Sequence, residues 1–160
     1  MWPRSGFVMR LAGFDHVFRD AASQDVGGGL IYKVVPPPVL ALLKIVSYRE
    51  DPQRRRKDLL DLRSLMQRYG RDTKRIFSDV VFDADLADVE FAGAFLLGLD
   101  LRAIATEEDH STVNSFLDDM TKLQDSAVCP PSADDDWTAR DATYFHNQLL
   151  SFSKGLKDVR

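Results

Sequence analysis

The tightest constraint on the fold of this chain is the segment 41–69, ALLKIVSYREDPQRRRKDLLDLRSLMQRY, where ionisable side chains interrupt positions that periodicity assigns to a core. Residues 39–48 are apolar around the whole helical circumference, a pattern that buries a helix rather than half-exposing it. Lys44 is the single charge there. After a short charged turn, Asp51 as N-cap and Pro52 at the first helical position predict a second helix over 52–69. Arg54, Arg55, Arg56 and Lys57 then fall in its first turns. Cations at a helix N-terminus oppose the macrodipole, but such a cluster suits an anion such as a phosphate.

At about 100° per residue, Leu59, Leu62, Leu65, Met66 and Tyr69 make the apolar stripe of this second helix. Asp58 projects within that stripe and Asp61 sits at its edge. An unpaired carboxylate on a core-facing stripe is costly to bury, so Asp58 is paired, protonated or functional. Lys44 is its natural partner. Two readings stay open: a structural Lys44–Asp58 ion pair pinning a helical hairpin beside a solvated arginine face, or a chemically placed site.

A length of 160 residues with 44% hydrophobic content fits one domain with a real core. The net charge of −4, from 21 basic and 25 acidic residues, excludes a generally basic nucleic-acid coat protein. Any such contact would be local, at residues 54–57. The lone cysteine, Cys129, excludes an intrachain disulfide framework and fits a reducing cytoplasm. Residues 1–10 lack the apolar stretch of a signal peptide, and no apolar run reaches the ~18 residues of a membrane span. A cytoplasmic protein without membrane contact is expected.

Along the chain, residues 7–11 and 30–35 read as strands, and 14–22 as a short amphipathic helix with His16 on its surface. Gly27-Gly28-Gly29 matches no phosphate-loop pattern and reads as a turn. Pro36-Pro37-Pro38 stops the strand before the helix at 39–48. A helix over about 85–97 is expected, capped by Asp83 or Asp85 and ending near Gly98, then a short helix at 101–105. Thr106 caps a helix over 107–123 with its face on Val113, Phe116, Leu117, Met120 and Leu123. Residues 1–128 thus form one unit. Residues 129–136 read as a linker, and 137–157 as a terminal helix with Phe145, Leu149, Phe152 and Leu156 on one face. The acids of 83–90 and 134–136 suit helix N-termini, and the three histidines lack ligand spacing, so no metal site is expected. The fold class is mostly helical α+β.

The segment 41–69 resembles the C-terminal motifs of minimal nucleotidyltransferases of the AbiEii type, the toxins of type IV toxin–antitoxin pairs. The family's "LK…A" helix is matched by Leu43-Lys44, and its "KD-x-x-D-L" helix by Lys57-Asp58-Leu59-Leu60-Asp61-Leu62. Trp2-Pro3, Gly13-Phe14, Ala92-Gly93-Ala94, Leu96-Leu97-Gly98 and Phe152-Ser153-Lys154-Gly155-Leu156 extend the resemblance over nearly the whole chain. Ser47 stands where the family usually has alanine, and the arginine of the turn is displaced to Arg49 or Arg54–Arg56.

The resemblance implies a remnant of the nucleotidyltransferase sheet followed by a helical bundle. It makes Lys44 a phosphate contact and Asp58 a base or orienting group, with Arg54, Arg55, Lys57 and Asp61 toward the substrate phosphates. It also implies Mg²⁺ and a nucleoside triphosphate, an RNA acceptor such as tRNA, and a cognate antitoxin. The family's Gly-Ser motif, D-x-D pair and third carboxylate strand precede its Trp-Pro point, whereas this chain opens Met1-Trp2-Pro3. The expectation is a protein that lacks the metal cradle, supports no cofactor alone, and does not transfer nucleotides alone. A non-catalytic phosphate-, RNA- or protein-binding helical module is the alternative. A decayed remnant is a third reading, and it would be marginally soluble through exposed sheet edges unless a homodimer covered them.

Overall fold

The computed structural model describes residues 13–122 and 139–157, and the protein is mostly helical with one small sheet. Helix α1 (Phe14–Arg19) leads into an antiparallel hairpin of β1 (Ala22–Asp25) and β2 (Ile31–Val34). Its register runs from Ala22 opposite Val34 to Asp25 opposite Ile31, with Gly27–Gly29 in the turn at positive φ. Helices α2 (Pro37–Glu50) and α3 (Arg56–Arg68) then form the helical hairpin. Two short turns of helix, Arg75–Phe77 and α4 (Asp79–Phe82), precede α5 (Ala92–Ile104), α6 (Glu107–Lys122) and α7 (Ala139–Lys157). The expected strand at 7–11, the linker at 129–136, Leu123 and the acidic run 134–136 lie outside the described residues.

Helix α5 is the centre of the bundle: every residue from Ala92 to Gly98 is buried. Its main neighbour is α7, whose Phe145, Leu149, Phe152 and Leu156 are buried as the periodicity required. Glycine makes the crossing possible. A methyl group on Gly98 would overlap the carbonyl oxygen of Phe152, and one on Gly155 would overlap that of Phe95. On the opposite side, a methyl on Gly93 would strike the carbonyl oxygen of Met66, so α3 also approaches α5 backbone to side. Leu59, Leu62 and Met66 of α3, Val113, Phe116 and Met120 of α6, and Leu42 and Ile45 of α2 fill the resulting core.

Several boundaries differ from the sequence reading, each for a physical reason. Pro37 and Pro38 open α2 rather than merely blocking the strand, because the first helical turn needs no N–H donors. Asp51 does cap, but it caps a turn: its carboxylate accepts from the Arg54 amide at 3.2 Å and its carbonyl from the Arg55 amide at 2.9 Å. Helix α3 therefore starts at Arg56, and Arg54 and Arg55 lie outside it. Gly70, at φ 73°, closes its far end.

Asp88, not Asp83 or Asp85, caps the start of the α5 region, accepting from the Glu90 amide at 2.8 Å. Gly98 does not end α5. The helix runs through it to Ile104 and absorbs the short helix expected at 101–105, because the glycine serves packing instead of capping. Residues 14–22 divide into α1 and the start of β1. Thr106 and Asp109 form a reciprocal cap on α6: the Asp109 amide donates to Thr106 Oγ1 at 3.2 Å and the Thr106 amide to Asp109 Oδ2 at 2.8 Å.

Overpacking so close a crossing should cost roughly 3 kcal/mol or more. In urea denaturation, Gly155→Ala is expected to lower the unfolding free energy by that amount, read as a lower midpoint at unchanged m-value. Gly28→Ala, at φ 65° with open space around it, is expected to cost only about 1 kcal/mol through backbone strain.

Candidate functional site

Helices α2 and α3 pack against each other across a short connector, and that pairing brings Lys44 against the carboxylates that interrupt the α3 stripe. Lys44 Nζ donates to Asp58 Oδ1 at 2.8 Å and to Asp61 Oδ2 at 2.5 Å. Asp58 and Asp61 are three residues apart, so one ammonium reaches both from a single helix face. Asp58 is 6% exposed, and its second oxygen is buried without a hydrogen-bond partner. Partial burial disfavours the ammonium, but the hydrogen bonds to Asp58 and Asp61 outweigh it and hold the Lys44 pKa above its usual value. The amine is a locked cation at neutral pH.

A cavity of about 690 Å³ opens beside this knot. Leu40 and Lys44 wall one side, and Asp61, Leu65, Arg68 and Tyr69 the other. The wall at Tyr69 is braced from behind: its hydroxyl donates to Asp100 at 2.5 Å, and Arg75 holds the same carboxylate through two nitrogens at 2.5 and 3.0 Å. Burial, then the bond to Asp100, pushes the Tyr69 phenol up to about 12, and Arg75 keeps the Asp100 carboxyl low despite its own burial. Sequence reasoning placed Tyr69 in the apolar stripe and missed its polar end. A buried tyrosine hydroxyl seeks a partner, but nothing local marks Asp100, which is 31 residues away.

Of the expected site residues, the fold assembles Lys44, Asp58 and Asp61 and leaves the basic cluster apart. Arg54, Arg55 and Lys57 are exposed at the N-terminal end of α3, while the cavity extends from Asp61 toward the opposite end. Arg54 lies 3.6 Å from Asp51, and none of the three lines the cavity. The donor set also does not fit Mg²⁺, which demands several oxygens in near-octahedral array. The Lys44 ammonium already sits between Asp58 and Asp61, and among the described residues no group of three or more His, Cys, Asp or Glu is arranged to hold a metal ion.

His16 departs most from expectation: it is buried, not on the surface. Its Nε2 lies 2.9 Å from Asp109 Oδ2 and its Nδ1 2.7 Å from Asp20 Oδ2, joining α1 to the cap of α6. Burial opposes the imidazolium, yet the bonds to Asp109 and Asp20 prevail and the pKa is raised above 6.5. Arg19 also lies 2.7 Å from Nδ1. That contact is a hydrogen bond only when Nδ1 is unprotonated, so Arg19 and Asp20 serve the neutral and charged ring respectively. The His16–Asp20 spacing was visible in sequence; Asp109, 93 positions on, was not.

Comparison with protein-family models, with curated proteins and with solved structures returned no match. Among the described residues no helix is long and apolar enough to cross a membrane.

Two outcomes test this electrostatic picture. Lys44→Met should destabilise the fold by about 2–3 kcal/mol, because it strands the buried Asp58 charge. Asp61→Asn, at an exposed end, should cost under about 1 kcal/mol, and Lys44→Met with Asp58→Leu should recover most of the loss. Urea midpoints read all three.

The His16 cluster gives a pH window. Asp109 and Asp20 have folded pKa values below 3.8, so their contribution is present above that value and falls away as pH drops through the folded ones. His16 has a folded pKa above 6.5, so its contribution is complete below 6.5 and is lost as pH rises through the folded value. Stability from the cluster should be greatest between about 4 and 6.5, and His16→Asn should flatten the alkaline limb of a midpoint-versus-pH curve.

Proposed function

We propose that this chain is the helical, substrate-facing part of a nucleotidyltransferase-like protein of the AbiEii toxin type, and that it does not transfer nucleotides by itself. The observation that carries this reading is the convergence of Lys44, Asp58 and Asp61, in which Lys44 and Asp61 line a sizeable cavity and Asp58 is buried against the lysine. These residues come from the two stretches that resemble the family's "LK" and "KD-x-x-D-L" motifs. In this reading Lys44 meets a phosphate and Asp58 orients or deprotonates the acceptor, with Asp61 holding Lys44 in place.

The lack of transfer follows from donor chemistry. Two carboxylates already engaged by one lysine supply no cradle for Mg²⁺, and further oxygens from outside the described residues would be needed. A cognate antitoxin and an RNA acceptor belong to this reading as its partners, and a cytoplasmic location as its setting.

A second reading, a phosphate- or RNA-binding module, draws support from one observation. Arg54 and Arg55 in the connector and Lys57 at the start of α3 are all exposed. Such a surface would act through charge and lose affinity with salt.

A transfer assay tests the proposal, and a titration separates it from the second reading. Labelled ATP, GTP, CTP and UTP with Mg²⁺ are expected to yield no transferred product, and robust product would overturn the proposal. Calorimetric titration of the same nucleotides should show binding that Asp58→Asn or Lys44→Arg weakens about tenfold, while Arg54→Ala with Arg55→Ala leaves it unchanged. The reverse pattern, with the arginines decisive, would move the assignment to the second reading.

A further inference from the structure

The β-hairpin is exposed on both faces: every residue of β1 and β2 is solvent-accessible. Several of its large side chains are nonetheless apolar. Ile31 is 70% exposed and Tyr32 56%, with Leu30, Val26 and Val34 also exposed around them. An isolated two-stranded hairpin is marginal in water, and an unprotected apolar edge is a template for another strand. Among the described residues neither outer edge of the hairpin is paired, and the two edges differ. β1 reads Ala-Ser-Gln-Asp and offers little apolar surface, whereas β2 reads Ile-Tyr-Lys-Val.

We propose that the outer edge of β2 is a self-association surface, on which β2 of a second copy of this chain pairs antiparallel to make a four-stranded sheet. The argument for a second copy is that β2 is complementary to itself in one register. Two strands related by a two-fold axis through an antiparallel sheet must place one residue on the axis, because residues directly opposite share a face and faces alternate along the strand.

With Tyr32 on the axis, the two tyrosines face each other, Leu30 faces Val34 of the second copy, and Ile31 faces Lys33 of the second copy. With Lys33 on the axis, two ammonium groups would be directly opposed, which is destabilising. With Ile31 there, Lys33 and Val34 would face glycines of the turn and gain no side-chain contact. The Tyr32 register also opposes no like charges, and Asp25 of β1, opposite Ile31, lies on the face that carries Lys33. Pairing would turn exposed apolar surface into cross-strand contacts and satisfy one row of backbone groups.

Sedimentation velocity over a concentration series is expected to show a monomer–dimer equilibrium. Tyr32→Lys should weaken it about tenfold or more by placing two charges on the axis, with an unchanged far-ultraviolet spectrum because Tyr32 lies outside the core clusters. In a Cys129→Ser background, Tyr32→Cys should form an intermolecular disulfide under mild oxidation, since directly opposed residues fall within disulfide reach. Lys33→Cys should not. A monomer at all concentrations, a dimer indifferent to Tyr32→Lys, or cross-linking at Lys33→Cys in place of Tyr32→Cys would each overturn the proposal. The first would leave the edge to a strand of different sequence.

Discussion

The close crossing of α5 and α7 sets the geometry of everything else in the protein. At Gly98 and Gly155 each helix lies against the other's main chain, so neither a side-chain layer nor a compromise in crossing angle separates them. Gly93 repeats the device toward α3. A helix pinned on two sides at backbone distance has little freedom to slide or rotate, since packed interiors transmit displacement instead of absorbing it. The buried run from Ala92 to Gly98 is thus the reference frame for the α2–α3 hairpin.

Seen from that frame, the Lys44–Asp58–Asp61 knot is a consequence of placement. Met66 and Leu62 seat α3 on the core, which turns Asp58 inward and leaves Asp61 at the rim. Two carboxylates so close would repel, and the buried one would be costly, without a cation between them. Lys44 supplies it from α2. The structural and the functional reading of this knot share the same geometry. They part over the cavity, which a pure ion pair does not require and which Tyr69, braced by Asp100 and Arg75, keeps open on one side.

What could be read from sequence was what short-range periodicity encodes. The stripe through Leu59, Leu62 and Met66, the face through Phe145, Leu149, Phe152 and Leu156, and the Lys44–Asp58 partnership all follow from spacing within one helix or between adjacent ones. Gly98 was misread because a glycine near an apolar run signals either a helix end or a close approach, and only the position of α7 decides. Asp51 kept its capping chemistry while the helix began five residues later, since a turn and a helix start share the same aspartate bond. His16 was misplaced because its burial depends on Asp109, far along the chain. β1 was invisible: Ala-Ser-Gln-Asp has no strand preference, and only pairing with β2 makes it one.

The hairpin and the cavity are not independent. β2 ends at Val34, and Pro36-Pro37-Pro38 carries the chain directly into α2, with Pro37 on the cavity wall. Proline fixes φ, and Pro36 sits at φ −69° and ψ 150°, an extended conformation that suits a rigid strut better than a hinge. Few soft torsions therefore lie between the exposed edge of β2 and the wall facing Asp61. The strand pairing proposed for β2 would thus act close to the start of α2, the helix that carries Lys44.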